Sequence, residues 1–226
     1  MDQLSSAPDA KVSLAGQTYL RISEKIIGGD YPPGHRLRER EISVDLNVSR
    51  IPIREALPQL EADGFIETFP RRGAVVRGFT LKDVGELFDV RLNLEVFAAR
   101  KAAEHIAAGG SSARLSELVS AAETATFANN FPAIVSFNAA IHAEIITMSG
   151  NSLLQTAMRP VLGRLRRLFA LTSKRDPHAQ YVEHLALCEA IHAGKPDLAA
   201  ALAYAHIELG REPTLAELAG VLPADG

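Results

Sequence analysis

The chain of 226 residues has a single cysteine, Cys188, which excludes an intrachain disulfide and fits a reducing cytoplasm. It also lacks an uninterrupted apolar run of about 18 residues, which argues against a membrane span. Residues 1–10 lack the basic and apolar segments of a secretory signal and are expected to form a flexible leader. We therefore expect a cytoplasmic protein without a membrane partner.

An excess of positive charge is also missing, because the formal net charge is −3. Residues 34–79 hold eight arginines, seven acidic residues and no lysine, so this segment is nearly neutral. A DNA-binding face here would require the arginines to be segregated in space. On charge alone, a surface of mixed ion pairs is the simpler interpretation.

The first third of the chain has the element order of a winged helix-turn-helix. Periodicity predicts helices over 14–28 and 39–46, and Asn47 suits the left-handed backbone of a tight turn. Ser49 is a good N-cap for a third helix, whose first turn accommodates Pro52. Two β-prone runs follow as a hairpin, FIETF and AVVRGF.

In this motif the second helix of the pair lies in the major groove, and its first residues meet base edges. Arg50 and Arg54 are four residues apart and share a helix face, and arginine suits both guanine and phosphate. Arg71, Arg72 and Gly73 stand at the hairpin tip. A small α/β domain with surface arginines is the alternative.

From Leu81 onward the pattern is helical, with no convincing strand. Helices are predicted over 81–109, 112–128, 131–148, 151–173, 178–193 and 196–210. The predicted fold is mainly α, with an N-terminal winged helix-turn-helix and a C-terminal all-helical bundle. The predicted segments are a leader (1–10), a DNA-binding domain (11–78), an effector-binding and dimerisation domain (81–212) and a C-terminal tail (213–226).

Three histidines fall on apolar stripes of separate predicted helices, and Asn138 lies one turn before the first of them, His142. The other two are His184 and His206. Imidazoles suit zinc, nickel, copper or iron, and an amide oxygen is a weaker ligand. Hydrogen-bonded core histidines are the alternative. A metal-dependent hydrolase is a second alternative, although Glu144 and Glu183 are expected to point away from the cluster.

Both halves of the chain resemble a known family. The ordered segments YPPGHRLRERE and LNVSRIPIREALPQLEADGFIETFPRRGAVV are similar to the DNA-binding domain of GntR-type bacterial transcription regulators. The segments FDVRLNLEVFAAR, SFNAAIHAEIITMSGN and EHLALCEAIHAGKPDLAAALAYAHI resemble the FCD effector domain of the FadR-like branch. The resemblance implies a ligand-responsive repressor, not an enzyme, which binds a palindromic operator of double-stranded DNA as a homodimer and senses a small organic acid.

The resemblance also assigns roles to residues. It implies DNA contacts from Arg40, Ser49, Arg50, Arg54, Arg72 and Gly73. It implies a divalent metal such as zinc or nickel at Asn138, His142, His184 and His206, with asparagine where the family usually has aspartate. Arg91 is expected to bind the carboxylate of the effector, or else to pair with Glu95.

Pro58 departs from the family pattern, because it stands inside the predicted recognition helix. A proline there removes the hydrogen bond to the carbonyl of Arg54. We therefore expect a kink or a local break near Arg54. Arg50 lies before this point, so the DNA-reading start of the helix should remain intact.

Overall fold

The computed structural model describes residues 13–69, 73–172 and 175–224. The chain divides into two compact units, one ending at Arg77 and the other beginning at Gly78. The first combines helices with a small sheet, and the described part of the second is helical. The prediction of a mainly α chain, with a winged helix-turn-helix before a helical bundle, is confirmed.

Three helices form the body of the first unit: α1 (Leu14–Ile27), α2 (Glu39–Leu46) and α3 (Arg50–Ala62). The turn between α2 and α3 begins at Asn47, whose φ of 51° and ψ of 50° are left-handed, as predicted. Ser49 occupies the N-cap position of α3, but its side chain makes no capping hydrogen bond. Its predicted position is therefore correct, and the predicted capping bond is absent.

A three-stranded antiparallel sheet completes this unit, with strands in the order β1 (Arg36–Leu37), β3 (Gly73–Val76), β2 (Ile66–Phe69). Phe69 pairs with Gly73 across the predicted hairpin, whose tip residues 70–72 lie outside the described part of the chain. One face of the sheet and the inner faces of the helices form a common core. Its largest fully buried side chains are Ile22, Ile42, Leu46, Ile53 and Leu60.

Pro58 lies on the exposed side of α3, and the helix is unbroken from Arg50 to Ala62. The expected local break is therefore not present. The surrounding packing explains this, because Ile53, Ala56 and Leu60 are all buried against the core on both sides of the proline in sequence. Their burial holds the helix together across the missing hydrogen bond.

The second unit contains six described helices. They are α4 (Leu81–Ala107), α5 (Ala113–Phe127), α6 (Phe131–Met148), α7 (Ser152–Leu171), α8 (Pro177–His192) and α9 (Pro196–Leu218). Buried alanines of α4, including Ala99 and Ala103, share a core with Ala199 and Ala203 of α9. Small side chains allow helices to approach closely, so α4 and α9 pack directly against each other.

The end of α9 differs from the prediction. The sequence predicts a stop at Gly210 and a tail over 213–226, yet the helix continues through Pro213 to Leu218. Leu218 is fully buried, and the backbone N–H of Leu81 donates to the carbonyl of Pro223 at 2.9 Å. Burial of this leucine outweighs the local stop signals.

Helix α6 is the one helix among the described residues that is long and apolar enough to cross a membrane. This is weak evidence for a span, because core helices of soluble proteins meet the same criterion. Asn138 and His142 are buried on its inner face beside α4 and α8. The apolar character of α6 is explained by its place in the core of the helical unit.

Candidate functional site

The predicted DNA-contacting residues form an exposed polar surface on α2 and at the start of α3. Arg40, Ser49, Arg50 and Arg54 are all exposed. Arg54 is paired, because its Nε lies 2.8 Å from each carboxylate oxygen of Glu39. This hydrogen bond lowers the pKa of Glu39 and raises that of Arg54, so the pair is charged and connects α2 to α3.

Of the two wing residues predicted to contact DNA, the structure describes Gly73. Gly73 is exposed and is the first residue of β3, with a φ of +75° that side chains other than glycine rarely adopt. Arg72 lies outside the described residues. The glycine is therefore explained by the backbone turn that begins β3.

The helical unit brings together His142, His184 and His206, which come from α6, α8 and α9. All three side chains are buried, and one nitrogen from each lies within 4.8 Å of the others. The Nε2 atoms of His142 and His184 are 3.3 Å apart. Three residues spread over more than sixty positions in sequence thus form one compact cluster.

Two carboxylates lie within hydrogen-bonding distance of the Nδ1 atoms of His142 and His206. Glu95 Oε2 is 2.7 Å from His142 Nδ1, and Glu183 Oε2 is 2.7 Å from His206 Nδ1. Carboxylates that accept from Nδ1–H fix the tautomer in which Nε2 is free to bind a metal. The expectation that Glu183 would point away from the cluster is wrong, because α9 brings His206 to the face of α8 that carries Glu183.

Arg91 lies one helical turn before Glu95 and forms the ion pair named as the alternative to effector binding. Its Nε donates to Glu95 Oε1 at 2.6 Å, and both side chains are buried. Burial would raise the pKa of Glu95, but the positive charge of Arg91, followed by the contact with His142, outweighs burial and the pKa is lowered. Glu95 is therefore a buried carboxylate with Arg91 as its counter-ion.

A second arginine, Arg175, was not predicted. It stands in the segment before α8 and its Nη2 lies 2.5 Å from Glu183 Oε2. No helical period or motif distinguishes this loop residue in the sequence. It lines a small cavity of about 30 Å³ beside the histidines. The polar residues lining that cavity include Arg91, Asn138, Arg175, Gln180, His184 and His206.

Asn138, the fourth predicted ligand, is buried one turn before His142 on α6. Its Nδ2 donates to Gln180 Oε1 at 3.2 Å. This hydrogen bond links α6 to the first turns of α8 and places the Asn138 amide at the cavity wall. Unlike an aspartate, the amide adds no negative charge to the site.

The three histidines have the chemistry of a metal-binding set. Burial, followed by the charges of neighbouring imidazoles, lowers the pKa values of His184 and His206. Neutral imidazole is the form that binds metal ions. Within the described part of the chain, His184 Nδ1 has no hydrogen-bonding partner. Three clustered imidazoles with an adjacent cavity fit a divalent ion that keeps a coordination position for a further ligand.

Comparison with known protein families gives a match for each of the two units. Residues 14–76 match the bacterial regulatory proteins of the gntR family, and residues 86–209 match the FCD domain. The chain belongs to the GntR family. The relatives of this chain that have a named function are transcription regulators. The hydrolase alternative is therefore set aside.

Relatives of this GntR-family chain differ in the extent of the match. The Nta operon transcriptional regulator of Aminobacter aminovorans is 28% identical over 180 residues, covering 79% of this chain and 83% of the relative. The gluconate operon transcriptional repressor of Bacillus licheniformis is 45% identical over 88 residues, which are 39% of this chain and 36% of the repressor. The chain spans only 37% and 57% of two further curated relatives, from Bacillus subtilis and Agrobacterium vitis.

Solved structures support the fold alone. E. coli McbR/YncC matches with a TM-score of 0.77 at 20% identity, over 92% of this chain and 99% of that protein. A putative GntR regulator from Rhodococcus sp. RHA1 matches with a TM-score of 0.73 at 22% identity, over 89% and 97% of the two chains. The chain therefore shares its fold with these two proteins at low sequence identity.

Proposed function

We propose that this protein is a cytoplasmic transcriptional repressor that binds a palindromic operator as a homodimer and responds to a small organic acid. The observation that carries the proposal is the buried three-histidine cluster, with carboxylates on two of its imidazoles, in a chain that also has a winged helix-turn-helix. A divalent metal at the cluster would offer a positive centre to a carboxylate. The family supports the regulatory role.

In this proposal, the start of α3 reads the DNA. Arg50 contacts base edges, while Ser49 and the first N–H groups of the helix bind a phosphate. Arg40, Arg54, Arg72 and Gly73 provide further contacts to the operator. Two copies related by a twofold axis would present two recognition helices, which is why a palindrome is expected.

The proposed effector binds in the cavity next to His184 and His206, close to Arg91 and Arg175. Both arginines already have carboxylate partners in Glu95 and Glu183. The carboxylate of an acid would therefore take the metal as its main partner and the arginines as secondary ones. In the proposed dimer, the two DNA-binding domains can adopt different arrangements. The acid changes DNA affinity only if it binds to these arrangements with different affinity.

Selection of fragments of the source genome by the purified protein tests the DNA-binding part. We expect one enriched palindrome whose binding weakens steeply with salt, because phosphate contacts release counterions. Arg50→Ala should lower operator affinity by about 1–3 kcal/mol. The matched control is Arg21→Ala, an exposed arginine on α1, which should bind like the wild type.

Operator binding by metal-stripped and metal-loaded protein, with and without a panel of small acids, tests the regulatory part. At least one acid should change operator affinity in the loaded protein and have no such effect in a His206→Ala variant. Failure to enrich any fragment, with or without metal, would refute the proposed repressor.

A further inference from the structure

We propose that Asn138 makes metal binding and carboxylate binding depend on one another, so that the helical unit responds to an acid and a divalent metal in combination. The inference rests on the proposed function, since it takes the three histidines as the metal site. It concerns regulation at that site: a metal alone would be held weakly, and a carboxylate alone would have little to bind.

The charged side chains around the histidine cluster occur in pairs of opposite sign. Arg91 is paired with Glu95, and Arg175 with Glu183. Asn138, whose side chain is an amide, carries no charge at the cavity wall. Apart from the histidines and the two paired arginines, the described residues that line the cavity are uncharged. The arginines and carboxylates around the cluster therefore balance one another before any metal enters.

A divalent ion that enters this balanced site upsets its charge. A bound metal brings two positive charges into a buried site, and each internal carboxylate already has an arginine as its counter-ion. Buried charge without a counter-charge is strongly unfavourable. An aspartate at position 138 would supply one negative charge, and the asparagine supplies none. The missing charge can come from a carboxylate that enters the cavity from solution.

Binding of the metal and binding of the carboxylate are linked in both directions. If a carboxylate increases the affinity for the metal, the metal increases the affinity for the carboxylate by the same factor. Asn138 is buried and hydrogen-bonded to Gln180, so its neutrality is a fixed property of the site. An aspartate in its place could accept a hydrogen bond from the Gln180 amide after that amide rotates. Asn138→Asp should therefore keep the fold and change the charge.

The test uses cobalt(II) as the probe, because its visible absorption reports coordination by the protein directly. Metal-stripped full-length protein is titrated with cobalt in sodium acetate or in sodium nitrate of equal ionic strength. For the wild type, acetate should lower the cobalt dissociation constant by about tenfold. Asn138→Asp should bind cobalt about tenfold more tightly without acetate, and acetate should change its affinity by less than about twofold.

The matched control is Asn93→Asp, which makes the same substitution at an exposed position on α4 and should behave like the wild type. Equal cobalt affinity of the wild type in acetate and nitrate would overturn the inference and leave the metal site standing. The inference also fails if Asn138→Asp, folded by circular dichroism, keeps the full acetate effect. Absence of cobalt binding in every form would refute both the metal site and the inference.

Discussion

Glu95 is an acid in the core of the helical unit with both carboxylate oxygens engaged. One oxygen accepts from Arg91 and the other from His142, at 2.6 Å and 2.7 Å. The sequence offers the first partner through the four-residue spacing on one helix face. It gives no sign of the second, because His142 comes from another helix forty-seven positions later.

Glu95→Gln should destabilise the protein by about 3–5 kcal/mol, since it leaves Arg91 as a buried charge without its counter-ion. The measurement is urea unfolding followed by circular dichroism at neutral pH. Glu86→Gln, on the same helix, is the control: Glu86 is 65% exposed and lies 3.9 Å from Lys82. It should change stability by less than about 1 kcal/mol, as exposed pairs do. Similar losses in both variants would contradict a buried ion pair.

Glu183 shows why the second acid of the site escaped prediction. Adjacent residues on a helix point about 100° apart, so an acid next to the inward His184 is expected to leave the cluster. Within α8 alone, Glu183 does point away from the direction of His184. The third helix, α9, then places His206 against the face that carries Glu183, and this arrangement depends on tertiary packing that periodicity does not contain.

At the scale of elements, α3 remains a continuous helix although Pro58 lies inside it, because residues on both sides of the proline are buried in the core. Pro58 removes one backbone hydrogen bond, from a position that faces solvent. Pro58→Arg should therefore raise the melting temperature and leave operator binding intact, because restoring the bond removes a cost of up to about 3 kcal/mol. Thermal unfolding and operator titration on the same preparation measure both. A lower or unchanged melting temperature would count against this account.

The last turns of α9 depend on apolar contacts rather than on local sequence. Leu218→Ala should cost about 2–5 kcal/mol, because Leu218 is fully buried in a core with Phe88, Leu165 and Leu168. Chemical unfolding gives this loss. Val221→Ala is the nearby control, since Val221 is 68% exposed and should matter little. If the two variants are equally stable, the tail does not pack as described.

Helix positions were the most predictable elements, because apolar periodicity over ten or more residues is a strong signal. Asn47 and the hairpin were predictable from turn chemistry. The end of α9 was not, since Gly210 and Pro213 are local stop signals while the burial of Leu218 is a property of the assembled core. The apolar periodicity predicts that the three histidines face inward. It does not predict that they form one cluster, because the cluster depends on how α6, α8 and α9 pack together.

At the scale of the whole molecule, each unit has a core of its own, and the histidine cluster belongs to the second. Zinc at about 100 times its dissociation constant should stabilise that unit by about 2.7 kcal/mol. In hydrogen exchange followed by mass spectrometry, amides of α6, α8 and α9 should be protected by zinc, and those of α1 should be unaffected.

Two histidine variants check this prediction. His206→Ala should remove the protection by zinc, since it deletes one of the three clustered imidazoles. His178→Ala, an exposed residue on α8, should leave the protection unchanged. Equal protection of the wild type and His206→Ala would place the zinc elsewhere.

The hydrogen bond from Leu81 to Pro223 brings the entry and exit of the helical unit together. A unit whose ends meet is a closed loop of chain, and such loops tolerate circular permutation. Joining residue 224 to residue 78 by a short linker and opening the chain at Gly109–Gly110, between α4 and α5, should give the same helical body with its ends moved. The six described helices would keep their cyclic order and their packing, while the chain would begin before α5 and end after α4.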